Sequence, residues 1–129
     1  MNRVVHQSRR VLLVEDDAWI RTFLHDVLAD DGYDVVDAAD GRTGLRLVTE
    51  KEPDVVLLDL AMPEVTGVDV LHEIRRVPAT RHLPVLVLSA FPRVLSPTDT
   101  QSVSCVLSKP VNVDELLAQV RHALCAHHK

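Results

Sequence analysis

Glu15, Asp16 and Asp17 follow the apolar run Val11–Val14, and Asp59 follows the run Val55–Leu58. Ser89 follows Val85–Leu88, while Lys109, with Pro110 after it, follows Val103–Leu107. Brought together, these groups suit the transfer of a phosphoryl group. Crowded carboxylates repel one another and call for a cation. A few hard oxygen ligands, with room left for water and phosphate oxygens, favour Mg²⁺. An aspartate can attack phosphorus and carry it as an aspartyl phosphate. Lys109 would supply positive charge to one phosphoryl oxygen and Ser89 a hydroxyl donor to another. Positioning and charge stabilisation are most of what this chemistry needs.

Taken singly, each residue has a plainer reading. An acid after a strand often caps the next helix, and Asp17 suits that role. A lone Ser or Lys at a strand end is ordinarily a solvated terminus. His25, His72 and His82 read as surface residues on or beside helices. Cys125 with His127 and His128 reads as a frayed tail rather than a metal site. What outweighs the plain readings is that several such residues stand at matching strand ends.

The elements that must position them alternate regularly. Strands are expected at Arg10–Val14, Asp34–Ala38, Asp54–Leu58, Pro84–Leu88 and Val103–Leu107. The first helix spans Ala18–Ala29, with an apolar stripe of Ile20, Phe23, Leu24, Val27 and Leu28 at helical spacing. Asp40–Gly41 opens the second helix, and Val68–Arg76 forms the third after a loop punctuated by Pro63 and Gly67. Asn112 and Glu115 have the spacing of a capping box for the last helix. Between Phe91 and Ser104, Pro92, Pro97 and many Ser/Thr residues weaken helix propensity, so only a short helix near Leu95–Gln101 is expected. Strand–helix alternation implies right-handed crossovers and helices on both faces of a parallel sheet. The expected strand order is 2-1-3-4-5. Ligands in such sheets bind at the carboxyl ends of strands where the order reverses, which sets Glu15 and Asp16 beside Asp59.

Composition agrees with one domain. The chain has 129 residues, 47% of them hydrophobic, and only four aromatics (Trp19, Phe23, Tyr33 and Phe91). Leu- and Val-rich runs suit strands buried on both faces. A net charge of -5, with acids scattered along the chain, argues against a nucleic-acid surface. Cys105 and Cys125 have neither metal-type nor redox-type spacing. No stretch is apolar enough to suggest export or a membrane span, and the cytoplasm is the expected location. The expected organisation is a leader at residues 1–9, a domain at 10–126 and a tail at 127–129.

Four segments, Val11-Leu12-Leu13-Val14-Glu15-Asp16-Asp17, Val56-Leu57-Leu58-Asp59-Leu60-Ala61-Met62-Pro63 with Gly67, Leu88-Ser89-Ala90 and Leu107-Ser108-Lys109-Pro110, together resemble the response-regulator receiver domain of two-component signalling. The likeness covers about Arg10 to Ala126. It implies a flavodoxin-like α/β fold. It also implies that Asp59 accepts phosphate from a histidine kinase or a phosphotransfer protein. By the same likeness Asp16 and Asp59 ligate Mg²⁺ directly, Glu15 acts through water, and the Ala61 carbonyl completes the protein share of the shell. Ser89 and Lys109 take the family's hydroxyl and lysine positions, and Lys109–Pro110 is expected to be cis, turning the ammonium inward. Self-phosphorylation and self-dephosphorylation, rather than enzymatic turnover, are the implied activities.

Departures from the family pattern matter. Val106 stands three residues before Lys109, where receivers usually carry Tyr or Phe, so it has no ring to swing inward. Signal output then lies elsewhere, on helix one for instance, or in ordering of the segment around Leu95–Val103 on phosphorylation or partner binding. Ala61 offers no side chain to orient an attacking water, and Phe91 is positioned to shield the phosphoryl group; both point to slow self-dephosphorylation. The chain reads as a stand-alone regulator that signals through an unidentified protein target. Two alternatives are a pseudo-receiver that binds partners without phosphorylation and, further off, an aspartyl-phosphate phosphatase. The latter wants a carboxylate where Ala61 stands.

Overall fold

The computed structural model describes residues 9–90 and 95–127, of which 126 and 127 as backbone only. Strands β1 (Arg10–Val14), β2 (Asp34–Ala38), β3 (Val55–Asp59), β4 (Val85–Ser89) and β5 (Cys105–Ser108) form one sheet. Helices α1 (Ala18–Asp30), α2 (Gly41–Lys51), α3 (Gly67–Arg76), α4 (Pro97–Gln101) and α5 (Val113–His127) alternate with them. The strand order is β2-β1-β3-β4-β5 and every pairing is parallel. The α/β architecture expected from the alternation is therefore present, with its order reversing between β1 and β3.

Side chains of a strand alternate between its two faces, and that alternation builds two cores. Leu12, Val14, Val56, Leu58, Val85 and Val87 pack toward Leu47, Val48, Val70, Leu71 and Ile74 of α2 and α3. Val11, Leu13, Val55, Leu57, Leu86 and Leu88 pack toward Leu24 and Leu28 of α1 and Leu116, Val120 and Leu124 of α5. Strands β1, β3 and β4 are thus covered on both sides, which is why they read as unbroken apolar runs. Burying each such Leu or Val contributes roughly 1.5–3 kcal/mol.

Side-chain caps fix the helix starts. Asp17, Asp40, Thr66 and Ser96 accept from the backbone N–H groups of Ile20, Thr43, Asp69 and Asp99. At α3 the cap is reciprocal, since the Thr66 N–H also donates to Asp69 Oδ2 at 3.0 Å. For α5, Asn112 Oδ1 accepts from the Glu115 N–H at 2.9 Å.

Three expectations need correction. Phe23 does not belong to the buried stripe of α1: it is 51% exposed beside Trp19, 87% exposed one turn earlier. The stripe is centred on Leu24 and Leu28, and Phe23 lies about 100° around the helix from Leu24, outside the sheet-facing arc. Strand β5 starts at Cys105 rather than Val103, because Val103 closes the turn after α4 by donating to the Thr100 carbonyl. Helix α5 runs through His127, one residue into the expected tail.

Helix α4 is as short as its composition predicts, and side chains hold it in place. His72 Nε2 of α3 lies 3.0 Å from Asp99 Oδ1. Arg75 Nη2 donates to the Ser102 carbonyl at 2.6 Å and its Nη1 to the Leu83 carbonyl at 2.8 Å. The Ser102 hydroxyl turns back to the Asp99 carbonyl at 2.9 Å. Phe91, residues 1–8 of the expected leader, and His128 and Lys129 lie outside the described residues.

Candidate functional site

Asp59 and Ser89 are the last residues of β3 and β4. Register aligns Val14 with Leu58, Asp59 with Leu88 and Ser89 with Ser108. Glu15, one residue past β1, continues the sheet by donating its N–H to the Ala38 carbonyl at 3.0 Å. The sheet therefore brings Glu15, Asp16 and Asp59 to one end, at the β1–β3 reversal. One carboxylate oxygen from each lies within 4.8 Å of the others. Glu15 and Asp59 are buried, whereas Asp16 is exposed at the rim.

Lys109 arrives from the loop after β5, through a cis Lys109–Pro110 bond. Its N–H donates to the Ser89 carbonyl at 3.0 Å, which anchors the loop to the end of β4. The ammonium stands 3.0 Å from Asp59 Oδ1 and 3.1 Å from Glu15 Oε1. Ser89 is 3% exposed at the neighbouring strand end. Ala61 lies in the following loop, and its N–H reaches Asp59 Oδ1 at a long 3.4 Å.

Electrostatics follow from this burial. Desolvation raises the Glu15 pKa above the usual carboxylate range; the Asp17 N–H at 3.1 Å opposes the shift and the Asp59 charge adds to it. Burial pulls the Lys109 pKa down, but hydrogen bonds to Asp59 and Glu15 more than offset it, so the ammonium is held more firmly than usual. The Lys109 ammonium thus faces two of the three carboxylates. Asp59 Oδ2 is buried without a hydrogen-bond partner. An acceptor left without a donor in a dry site is costly, and a cation or a phosphoryl group would satisfy it. Hard oxygen donors, excess negative charge and an orphaned carboxylate oxygen together fit a hard divalent cation.

The β3–α3 loop depends on Gly67. A Cβ there would sit 2.2 Å from the Asp59 carbonyl oxygen and 2.5 Å from Leu60 Cα. The Gly67 N–H donates to the Leu60 carbonyl at 3.1 Å. Only a residue without a side chain lets α3 start this close to the site.

Arg21 contributes where its position in the sequence gives no signal. Its Nη1 donates to the Glu15 carbonyl at 2.8 Å and reaches the Asp16 carbonyl at 3.4 Å. An Arg on the exposed side of an amphipathic helix reads as a solvated charge; only the turn of the chain brings it back to the acid loop. His25 and His72 find their partners away from the site. His25 pairs with Asp37 at 2.8 Å and His72 with Asp99.

Comparison with known proteins agrees with this geometry. The sequence model described as "Response regulator receiver domain" matches residues 11–121. The chain is 36% identical over 117 residues to the DNA-binding dual master transcriptional regulator RpaA of Synechocystis, covering 89% of this chain and 48% of that protein. It is 37% identical to the sensor histidine kinase TmoS of Ectopseudomonas mendocina, covering 89% of this chain and 12% of the kinase. The chain thus spans about half or less of these relatives. The crystal structure of the response regulator TrrA from Thermotoga maritima, in complex with Mg(2+)-BeF, superposes with a TM-score of 0.81 at 29% identity, covering 89% of this chain and 98% of that one.

Proposed function

This chain belongs to the response regulator receiver domain family of two-component signalling, and on that premise we propose that Asp59 is its phosphoacceptor. The observation that carries the proposal is the convergence of Glu15, Asp16 and Asp59 within 4.8 Å, with the Lys109 ammonium 3.0 Å from Asp59. The donor is a phosphohistidine on a sensor histidine kinase or a histidine phosphotransfer protein. An Asp59 carboxylate oxygen attacks phosphorus, the P–O bond forms as the P–N bond breaks, and the imidazole nitrogen leaves with the electron pair. Lys109 and the Ser89 hydroxyl then hold phosphoryl oxygens, and the rigid strand ends keep Asp59 in line.

Asp16 and Asp59 directly, Glu15 through water, and the Ala61 carbonyl would hold Mg²⁺. The ion would neutralise the approaching phosphoryl group. Hydrolysis reverses the modification: water attacks phosphorus, the P–O bond to Asp59 breaks and the carboxylate returns. Ala61 presents no side chain that could orient that water, which supports a slow loss of phosphate. Output runs through protein contacts, in the cytoplasm where such donors act. Among the described residues no helix is long and apolar enough to cross a membrane. Val106 packs beside Leu95 and Val103 against the α2–α3 core, so any change at this edge moves aliphatic packing rather than an aromatic ring.

The test is incubation with Mg²⁺ and acetyl phosphate, scored by intact mass, with Asp59→Asn alongside. A gain of one phosphoryl group in the wild type alone is expected. No gain from acetyl phosphate or from a panel of phosphorylated histidine donors, with the protein folded, would overturn the proposal in favour of phosphorylation-independent partner binding.

A further inference from the structure

We infer that Arg21 is a positioning residue for the cation site, pinning the acid loop so that Asp16 is presented to the metal; the inference rests on the receiver reading above. Residues 15 to 17 are where the chain leaves the sheet and turns into α1. The Glu15 N–H still pairs with β2, through the Ala38 carbonyl at 3.0 Å. Beyond it no strand among the described residues continues beside the chain, and carbonyls at such a turn need donors from elsewhere.

Arg21 closes the turn from two sides. Its backbone N–H donates to the Asp17 carbonyl at 2.9 Å, the opening helical bond of α1. Its Nη1 folds back to the Glu15 carbonyl at 2.8 Å, with the Asp16 carbonyl at 3.4 Å. A charged donor on a carbonyl makes a stronger bond than a neutral one. Glu15 is further fixed through its own side chain, by Lys109 and by the Asp17 N–H. Asp16, exposed, owes its placement to the backbone on either side of it. Loosening that backbone spreads the Asp16 carboxylate over many positions, and ordering it again would weaken binding of the cation.

The guanidinium also carries positive charge close to a site for a cation. Charge alone would weaken Mg²⁺ binding, whereas positioning strengthens it. The two roles therefore predict opposite signs for removal of Arg21.

Mg²⁺ affinity of the full chain is read from Trp19 fluorescence, Trp19 being three residues from Asp16 and exposed. Arg21→Met is expected to bind Mg²⁺ about tenfold more weakly, with the rate of phosphorylation by acetyl phosphate at saturating Mg²⁺ within about twofold of wild type. Arg21→Lys, whose shorter side chain brings its ammonium less close to the two carbonyls, is expected to lose about threefold. Unchanged or tighter binding in Arg21→Met overturns the inference. So does a phosphorylation rate at saturating Mg²⁺ that falls as far as the affinity. If Arg21→Met does not fold, wild-type affinity in Arg21→Lys overturns it. Failure of the wild type itself to bind Mg²⁺ would instead strike at the receiver reading.

Discussion

Lys109 Nζ stands 3.0 Å from Asp59 Oδ1, joining the loop after β5 to the end of β3 by an ion pair whose carboxylate is buried. The same ammonium holds Glu15 Oε1 at 3.1 Å, so one lysine neutralises part of a carboxylate cluster. Lys109→Met leaves two buried carboxylates facing each other. Breaking a buried pair by removing one partner costs about 3–5 kcal/mol, and the lysine's partial exposure moves the expectation toward the lower end. The loss should shrink when Mg²⁺ is added, because a bound cation takes over the same neutralisation. Denaturant titrations with EDTA and with excess Mg²⁺ measure both values; an equal deficit in the two would show that the loss comes from packing rather than charge.

Gly67 makes the sharpest steric prediction. Gly67→Ala drives a methyl group to 2.2 Å from the Asp59 carbonyl oxygen, a backbone atom that cannot step aside. The expected cost is about 3 kcal/mol or more, with slower phosphorylation of Asp59 as the loop is displaced. Gly44→Ala is the matched control. Its added carbon meets the Val14 side chain at 3.0 Å, inside a helix where Ala gains about 1 kcal/mol over Gly, so a change within about 1 kcal/mol is expected. Similar losses in the two variants would contradict this account.

Arg75 holds the α4 region from α3. Its guanidinium serves the carbonyls of Ser102, Arg81 and Leu83, at 2.6, 3.0 and 2.8 Å for the shortest contacts. Burial lowers the Arg75 pKa, yet the side chain stays cationic far above neutrality. Arg75→Met should cost about 2 kcal/mol, the scale of hydrogen bonds to a charged group. Amide exchange should accelerate first between Ser102 and Leu107. Uniform acceleration across the whole sheet would point instead to a global loss.

The N-cap of α2 supplies the pH prediction. Hydrogen bonds from Thr43 hold the Asp40 carboxyl below its usual range. A depressed folded pKa means that the carboxylate stabilises the fold fully above the unfolded value of 3.8, and the contribution is lost as pH falls through the folded value. Asp40→Ala should therefore lower Tm at pH 7, with the gap from wild type closing as the pH drops below 3.8. A gap that stays constant to acid pH would mean that the cap works without its charge.

From sequence alone, periodicity and chemistry at the strand ends determined the alternating α/β order, the β2-β1-β3-β4-β5 topology and the grouping of Glu15, Asp16, Asp59, Ser89 and Lys109. Those signals are local: an apolar run, a Gly or Pro stop, an acid or lysine at a fixed offset. Tertiary structure decided what no local pattern encodes. It turned Phe23 outward, because which helical arc meets the sheet depends on the packing angle as well as on apolar spacing. It brought Arg75 to the Ser102 carbonyl after α4, 27 residues away in the chain. It folded Arg21 back onto the acid loop, a contact that no local pattern marks. Long polar side chains reach several ångströms from their backbone, so their partners depend on where the whole chain goes.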